Sequence, residues 1–270
     1  TCSVEAALQF TIPQAELEKR TLAVKCGDEI SVEVLKNALE SAGFTRTETV
    51  EGSGQYAVRG GIVDFFPINS QNPVRIELWG DTVDTVSYFD TATQRRTDTA
   101  DSCTVSPATE IMFDSDEAFA EKIRTLAETV SGKGSKKAKE VFLKDLDYVT
   151  SGVKISSKDK YLPVAYGELV TVLDHCSGDM LFVCRTNDVR QSAEQTSKLF
   201  ETELKSMFEN GVLAKGLDRF SLTFSELLTQ YEKRNAVYVD TFARGSFDTP
   251  VKAAINFTAQ QTPAWNGTLS

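Results

Sequence analysis

Apolar residues recur at two different periods along this chain, and the change of period divides it. Leu22-Ala23-Val24-Lys25 reads as a short strand and Gly27-Asp28-Glu29 as a turn. Ser31 then stands where a capping side chain is wanted. Val34, Leu35, Leu39 and Ala42 follow at helical spacing, and Gly43 suits a C-terminal cap. From Thr45 to Phe89 the period becomes two. Strands of an antiparallel sheet are predicted at 56–59, 61–66, 74–79 and 82–89, with Gly80-Asp81 as a two-residue hairpin turn and Gly60-Gly61 as a bend or bulge. After Pro107 the helical period returns. Ser115 can cap a helix carrying Phe119, Ile123, Leu126 and Val130 on one face, and Gly132-Lys133-Gly134-Ser135 separates it from a second helix ending near Leu146. Residues 151–160 read as polar loop, and the run 180–184 as a buried strand. A helix over 189–210 places Phe200, Leu204, Met207 and Phe208 together. A strand at 220–223, a short helix from Ser225 and a strand at 236–240 continue an α/β alternation. A short helix at 14–19 precedes all of this.

Composition narrows the class. Hydrophobic residues make up 41% and charged residues 25%, as in ordinary globular proteins. No apolar run approaches the roughly 18 residues of a membrane span. The start, Thr1-Cys2-Ser3-Val4-Glu5, lacks signal-peptide character and an initiator Met, so the chain is expected to be a fragment. The net charge of −10 opposes a polyanionic partner at long range. Five scattered cysteines with no C-x-x-C pair suit reduced thiols in a cytoplasmic protein better than disulfides or a zinc site. The sequons at Asn256 and Asn266 are accordingly read as chance.

The run Gly54-Gln55-Tyr56-Ala57-Val58-Arg59-Gly60-Gly61-Ile62-Val63-Asp64-Phe65-Phe66-Pro67 is distinctive. It is followed by Pro73-Val74-Arg75-Ile76-Glu77-Leu78-Trp79-Gly80-Asp81, then Phe89-Asp90, Thr93-Gln94-Arg95-Arg96 and Val105-Ser106-Pro107-Ala108-Thr109-Glu110. Together these resemble the UvrA-interaction domain shared by the repair helicase UvrB and the bacterial transcription-repair coupling factors (Mfd). The likeness resumes at Tyr161-Leu162-Pro163, at Thr171-Val172-Leu173-Asp174 and at the strand ending in Cys184. UvrB would carry an acidic helicase motif directly after that strand. Here Arg185 and Thr186 stand there, and neither can hold magnesium as carboxylates do. No G-x-x-x-x-G-K-[ST] run occurs either. The closer resemblance is therefore to the coupling-factor family, whose UvrB-like module lacks ATPase chemistry.

This resemblance implies an α+β chain in three parts. Residues 1–20 lead in from a UvrB-like body, 21–105 form a small antiparallel-sheet domain similar to UvrB domain 2, and 106–270 form a mixed α/β, helicase-related body domain. It implies UvrA as partner, docking at Arg59, Arg75 and the aromatic position of Trp79, where the family often has Phe. It implies no catalytic residue, cofactor or metal in this chain, and no membrane. RNA polymerase, double-stranded DNA and ATP would engage regions outside it. The main alternative is a UvrB-related, DNA-damage-binding helicase fragment with nucleotide-dependent activity, and Arg185 and Thr186 weigh against it. A third reading is a scaffold with no partner of its own, which a buried Trp79 would favour.

The strand pattern speaks to the same residues independently. Alternation puts Val74, Ile76 and Leu78 on one face and Arg75, Glu77 and Trp79 on the other. An exposed Trp beside an Arg is hot-spot composition. The plainer expectation packs Trp79 on a helix and pairs Arg75 with Glu77 or Asp84. No lysine lies between Lys36 and Lys122, whereas Arg59, Arg75, Arg95 and Arg96 do, and arginine's planar fork suits paired contacts with carboxylates. His175 has no partner pattern for catalysis or metal. Lys133, Lys136, Lys137 and Lys139 read as a solvated helix face, since no aromatic residues are interleaved.

Overall fold

Alternation over residues 55–89 produces the sheet that organises the first part of the chain. The computed structural model describes residues 1–131, 134–155, 157–178, 180–242 and 246–257, so Gly132, Lys133 and the second sequon lie outside the described residues. Six strands stand side by side in the order Thr45–Arg46, Gln55–Arg59, Ile62–Phe65, Val74–Trp79, Thr82–Phe89 and Arg96–Ala100. The first pair is parallel and the rest antiparallel. Cross-strand partners share a face. Tyr56, Phe65 and Val74 thus line up across three strands, and Val63, Ile76 and Val86 beside them.

Those side chains are buried against Leu35, Leu39 and Ala42 of helix Val32–Ser41, with Phe44 packed edge-on to Phe65 at 5.9 Å. Fully burying each such aliphatic side chain contributes about 1.5–3 kcal/mol. Ser31 caps the helix by accepting from the Val34 amide, and Gly43 ends it at φ +87°. Strand Leu22–Lys25 pairs antiparallel with Ser102–Val105, which places Val24 and Val105 in the same core.

Two local details differ from the sequence reading. Gly60-Gly61 makes neither a bulge nor a simple bend but a two-residue hairpin turn, with Arg59 opposite Ile62 and Gly60 at φ +60°. Gly61 is required because a Cβ there would lie 2.8 Å from the Leu78 carbonyl oxygen. The register shift sits instead between Glu77 and Leu78. Strand Arg96–Ala100 gave no signal, because its side chains are nearly all exposed and polar and so carry no alternation.

Beyond Pro107 the core is helical. Ser115 caps helix Asp116–Thr129, which packs on helix Ser135–Thr150 through Phe119, Ile123, Leu126 and Phe142. The second helix runs past Leu146 because Val149 is also buried. Within this core Asp145 accepts from the Tyr161 hydroxyl at 2.7 Å and pairs with Lys160. The region read as loop thus ends in a short 3-10 turn, Lys158–Tyr161. Helix Thr186–Glu209 begins earlier than its apolar spacing suggested, straight after Arg185 at φ +56°. Leu204 and Phe208 pack on the helical core, whereas Met207 is exposed.

Strand Met180–Cys184 corrects an expectation. It pairs in parallel with Asn235–Val239, and Leu181 and Val183 face helices Val4–Leu8, Thr186–Glu209 and Phe224–Glu232. Met180, Phe182 and Cys184 point the other way and are exposed, so only one face of this apolar run is covered among the described residues. Residues 220–223 are not a strand beyond a single bridge from Ser221 to Gln9, and Thr223 is the cap of helix Phe224–Glu232. No helix of the described residues is long and apolar enough to cross a membrane.

Candidate functional site

Helix Val32–Ser41 covers one face of the six-stranded sheet, and the alternate side chains stand on the other. Register sets them in rows. Ala57, Asp64, Arg75, Ser87 and Thr99 form one row across five strands, and Arg59, Ile62, Glu77 and Thr85 form the next. Trp79 and Thr82 follow at the tip of their hairpin, whose two-residue turn has Gly80 at φ +63°.

One end of this face is sealed by a small apolar cluster. Val50, Ala57 and Phe89 are buried there, with Phe66 packed against them. Asp64 lies beside that cluster at 1% side-chain exposure. An isolated carboxylate could not stay ionised so deeply, and two arginines resolve the problem. Arg75 donates from Nε to Oδ1 at 2.7 Å and from Nη2 to Oδ2 at 2.8 Å. Arg59 donates from Nη2 to Oδ2 at 2.6 Å. The hydrogen bond to Asp64 holds the Arg75 guanidinium above its ordinary pKa.

Loop 90–95 closes over Arg75. Asp90 accepts from the Thr93 hydroxyl and amide, which holds its carboxyl below the usual range, the hydroxyl bond first. That turn carries Gln94 into a left-handed conformation at φ +58°, uncommon for a residue with a Cβ. The Gln94 carbonyl accepts from Arg75 Nη1 at 3.2 Å, and its side-chain amide donates to the carbonyls of Val50 and Thr91. Phe89 lies under the guanidinium at 4.8 Å.

The three residues singled out from sequence therefore differ in setting. Trp79 is 84% exposed, and Arg59 is half-exposed at 45% of its side chain. Arg75 shares their face but keeps only 12% of its side chain exposed, so it is not an outward-pointing residue. Arg75 pairs with neither Glu77 nor Asp84: Glu77 holds Arg96, and Asp84 accepts from Thr85. Sequence reasoning included Asp64, Phe89 and Gln94 only within the family-like runs and gave none of them a role. The signal available for Asp64 was a charged residue inside an apolar strand.

Other candidates carry less. His175 Nε2 lies 2.7 Å from the Ile12 carbonyl and is satisfied there. Lys136, Lys137 and Lys139 are exposed on their helix, and Lys133 lies outside the described residues. Thr186 donates from its amide and hydroxyl to Asp240, which caps the helix start. No group of three or more His, Cys, Asp or Glu side chains among the described residues is placed to hold a metal.

Comparison with known proteins centres on the same segment. Residues 22–111 match the family described as UvrB interaction domain. The chain is 26% identical to the transcription-repair-coupling factor of Bacillus subtilis over 98% of its own length and 23% of that protein. It is 29% identical to the Haemophilus influenzae protein of the same name over 70% of its length and 16% of the relative. The Escherichia coli counterpart is 27% identical over 77% of this chain and 17% of its own. The chain thus spans less than a quarter of each of these relatives. Residues 22–111 match the UvrB interaction domain family, within a chain similar along most of its length to the transcription-repair-coupling factor of Bacillus subtilis.

Proposed function

We propose that this chain is a protein-docking module whose open sheet face binds UvrA through Arg59 and Trp79, with Arg75, only 12% exposed, supporting that face from beneath. The observation that carries this reading is Trp79, a large aromatic side chain left 84% exposed at a hairpin tip, beyond the row that holds Arg59. Interfaces concentrate their energy in Trp and Arg, and here an exposed Trp stands on the same sheet face as a half-exposed Arg. The family match supports the reading, because it is to an interaction domain rather than to a catalytic one. We further propose the division at residues 21–105 for the docking domain and 106–270 for a UvrB-like body.

In a protein built like the coupling factors, this docking recruits UvrA to stalled RNA polymerase during excision repair. RNA polymerase, double-stranded DNA and ATP engage regions outside these residues, and the chain itself has no enzymatic role. Calorimetry against purified UvrA tests the reading. Arg59→Ala and Trp79→Ala are each expected to cost about 2 kcal/mol or more, roughly a thirtyfold loss of affinity. Full affinity in both variants would remove the docking reading.

A further inference from the structure

The buried carboxylate of Asp64 calls for an explanation that stability does not supply. A buried ion cluster contributes little net stability over apolar packing, and its neighbours in the row, Ala57 and Ser87, are small and buried without charge. Both Asp64 oxygens are engaged, Oδ1 by Arg75 and Oδ2 by Arg75 and Arg59 together. Two cations on one anion leave a local positive charge on a chain of net charge −10.

The two arginines are held unequally. Arg75 is fixed by Asp64, by the Gln94 carbonyl and by the Phe89 ring. Arg59 meets Asp64 through one nitrogen, so most of the five N–H donors of its guanidinium remain free on a half-exposed side chain. We propose that Asp64 is a positioning residue: anchored by Arg75, it holds Arg59 so that the free edge of its guanidinium meets a carboxylate of the docking partner. This rests on the docking reading, with Arg59 making the contact and Asp64 acting through it.

A double-mutant cycle on the 270-residue chain, with purified UvrA as the probe, tests it. Asp64→Asn is expected to lower affinity roughly tenfold, as for one charge-assisted hydrogen bond. In an Arg59→Ala background it should cost nothing further, whereas beside Trp79→Ala its cost should add in full. Arg59→Lys, which lacks the fork, should not restore binding. If the Asp64→Asn and Arg59→Ala losses add, the positioning role is overturned while docking stands. If Arg59→Ala and Trp79→Ala both bind normally, it is the docking reading that fails. Should Asp64→Asn not fold, side-chain nitrogen NMR of the unaltered chain decides the matter. Restricted rotation of the Arg59 guanidinium supports the role, and free rotation overturns it.

Discussion

Arg75 and Trp79 stand two positions from Glu77 on one strand face, yet their surroundings give them opposite roles in stability. Arg75→Ala strips Asp64 of two of its hydrogen bonds and leaves a buried carboxylate held by Arg59 alone. Breaking a buried pair costs about 3 kcal/mol, so urea unfolding should show a loss of that order. Trp79→Ala removes an exposed side chain and should stay within about 0.5 kcal/mol of the parent in the same experiment. A large loss for Trp79→Ala would mean that it packs rather than docks. Cys103 offers a further check, since burial pushes its thiol up to about 12 while the other four cysteines are exposed. A thiol-specific reagent at pH 8 should therefore modify Cys2, Cys26, Cys176 and Cys184 in the folded chain and reach Cys103 only on unfolding. The sequence told which face each strand residue takes, because alternation is local. It could not tell that Asp64 lies opposite Arg75, because register is a relation between strands that depends on turn geometry.

Helix starts were the most legible elements, since a cap is written in four consecutive residues. Ser31 and Ser115 both accept the amide three positions on, as their sequences require. Ser115→Ala should lower stability by about 1 kcal/mol in thermal or urea unfolding, and an unchanged midpoint would show that the cap contributes nothing. The helix Phe224–Glu232 was read one residue late, from Ser225, because Thr223 was given to a preceding strand rather than to the cap. There the capping box of Thr223 and Glu226 holds the Glu226 carboxyl below its ordinary range, the Thr223 backbone bond first. Asp90 and Asp114 are held low by Thr93 and Lys19 in the same way. Each of these groups has a folded pKa below its unfolded one. Their contribution is therefore complete above the unfolded values, about 4 to 4.5, and is lost as pH falls through the folded ones. The melting temperature should decline as pH drops below about 4.5, and a rise over that interval would contradict these assignments. Polar edge strand Arg96–Ala100 was illegible, because with all its side chains but Ala100 exposed no periodicity is imposed on it.

At the scale of the whole molecule, sequence patterns indicate which runs are apolar but not what covers them. Met180–Cys184 is uniformly apolar and reads as buried, yet burial depends on three helices, two of them distant in sequence, and they cover only one face among the described residues. Charge is a whole-chain property that needs no such assembly. With 29 basic and 39 acidic residues, the chain meets a nucleic acid against its own long-range field. The exposed Lys136, Lys137 and Lys139 lie on one helix without interleaved aromatics, and the half-exposed Arg59 is paired with Asp64. Nonspecific binding arises from released counterions and needs many phosphate contacts, which this surface does not offer. Fluorescence anisotropy with a labelled duplex at physiological salt should therefore show affinity no better than about 100 μM. Lowering the salt should raise it only slightly, because few counterions are displaced. Tight binding that persists at physiological salt would instead require a contiguous basic surface, and would favour the damage-binding alternative over a protein-docking module.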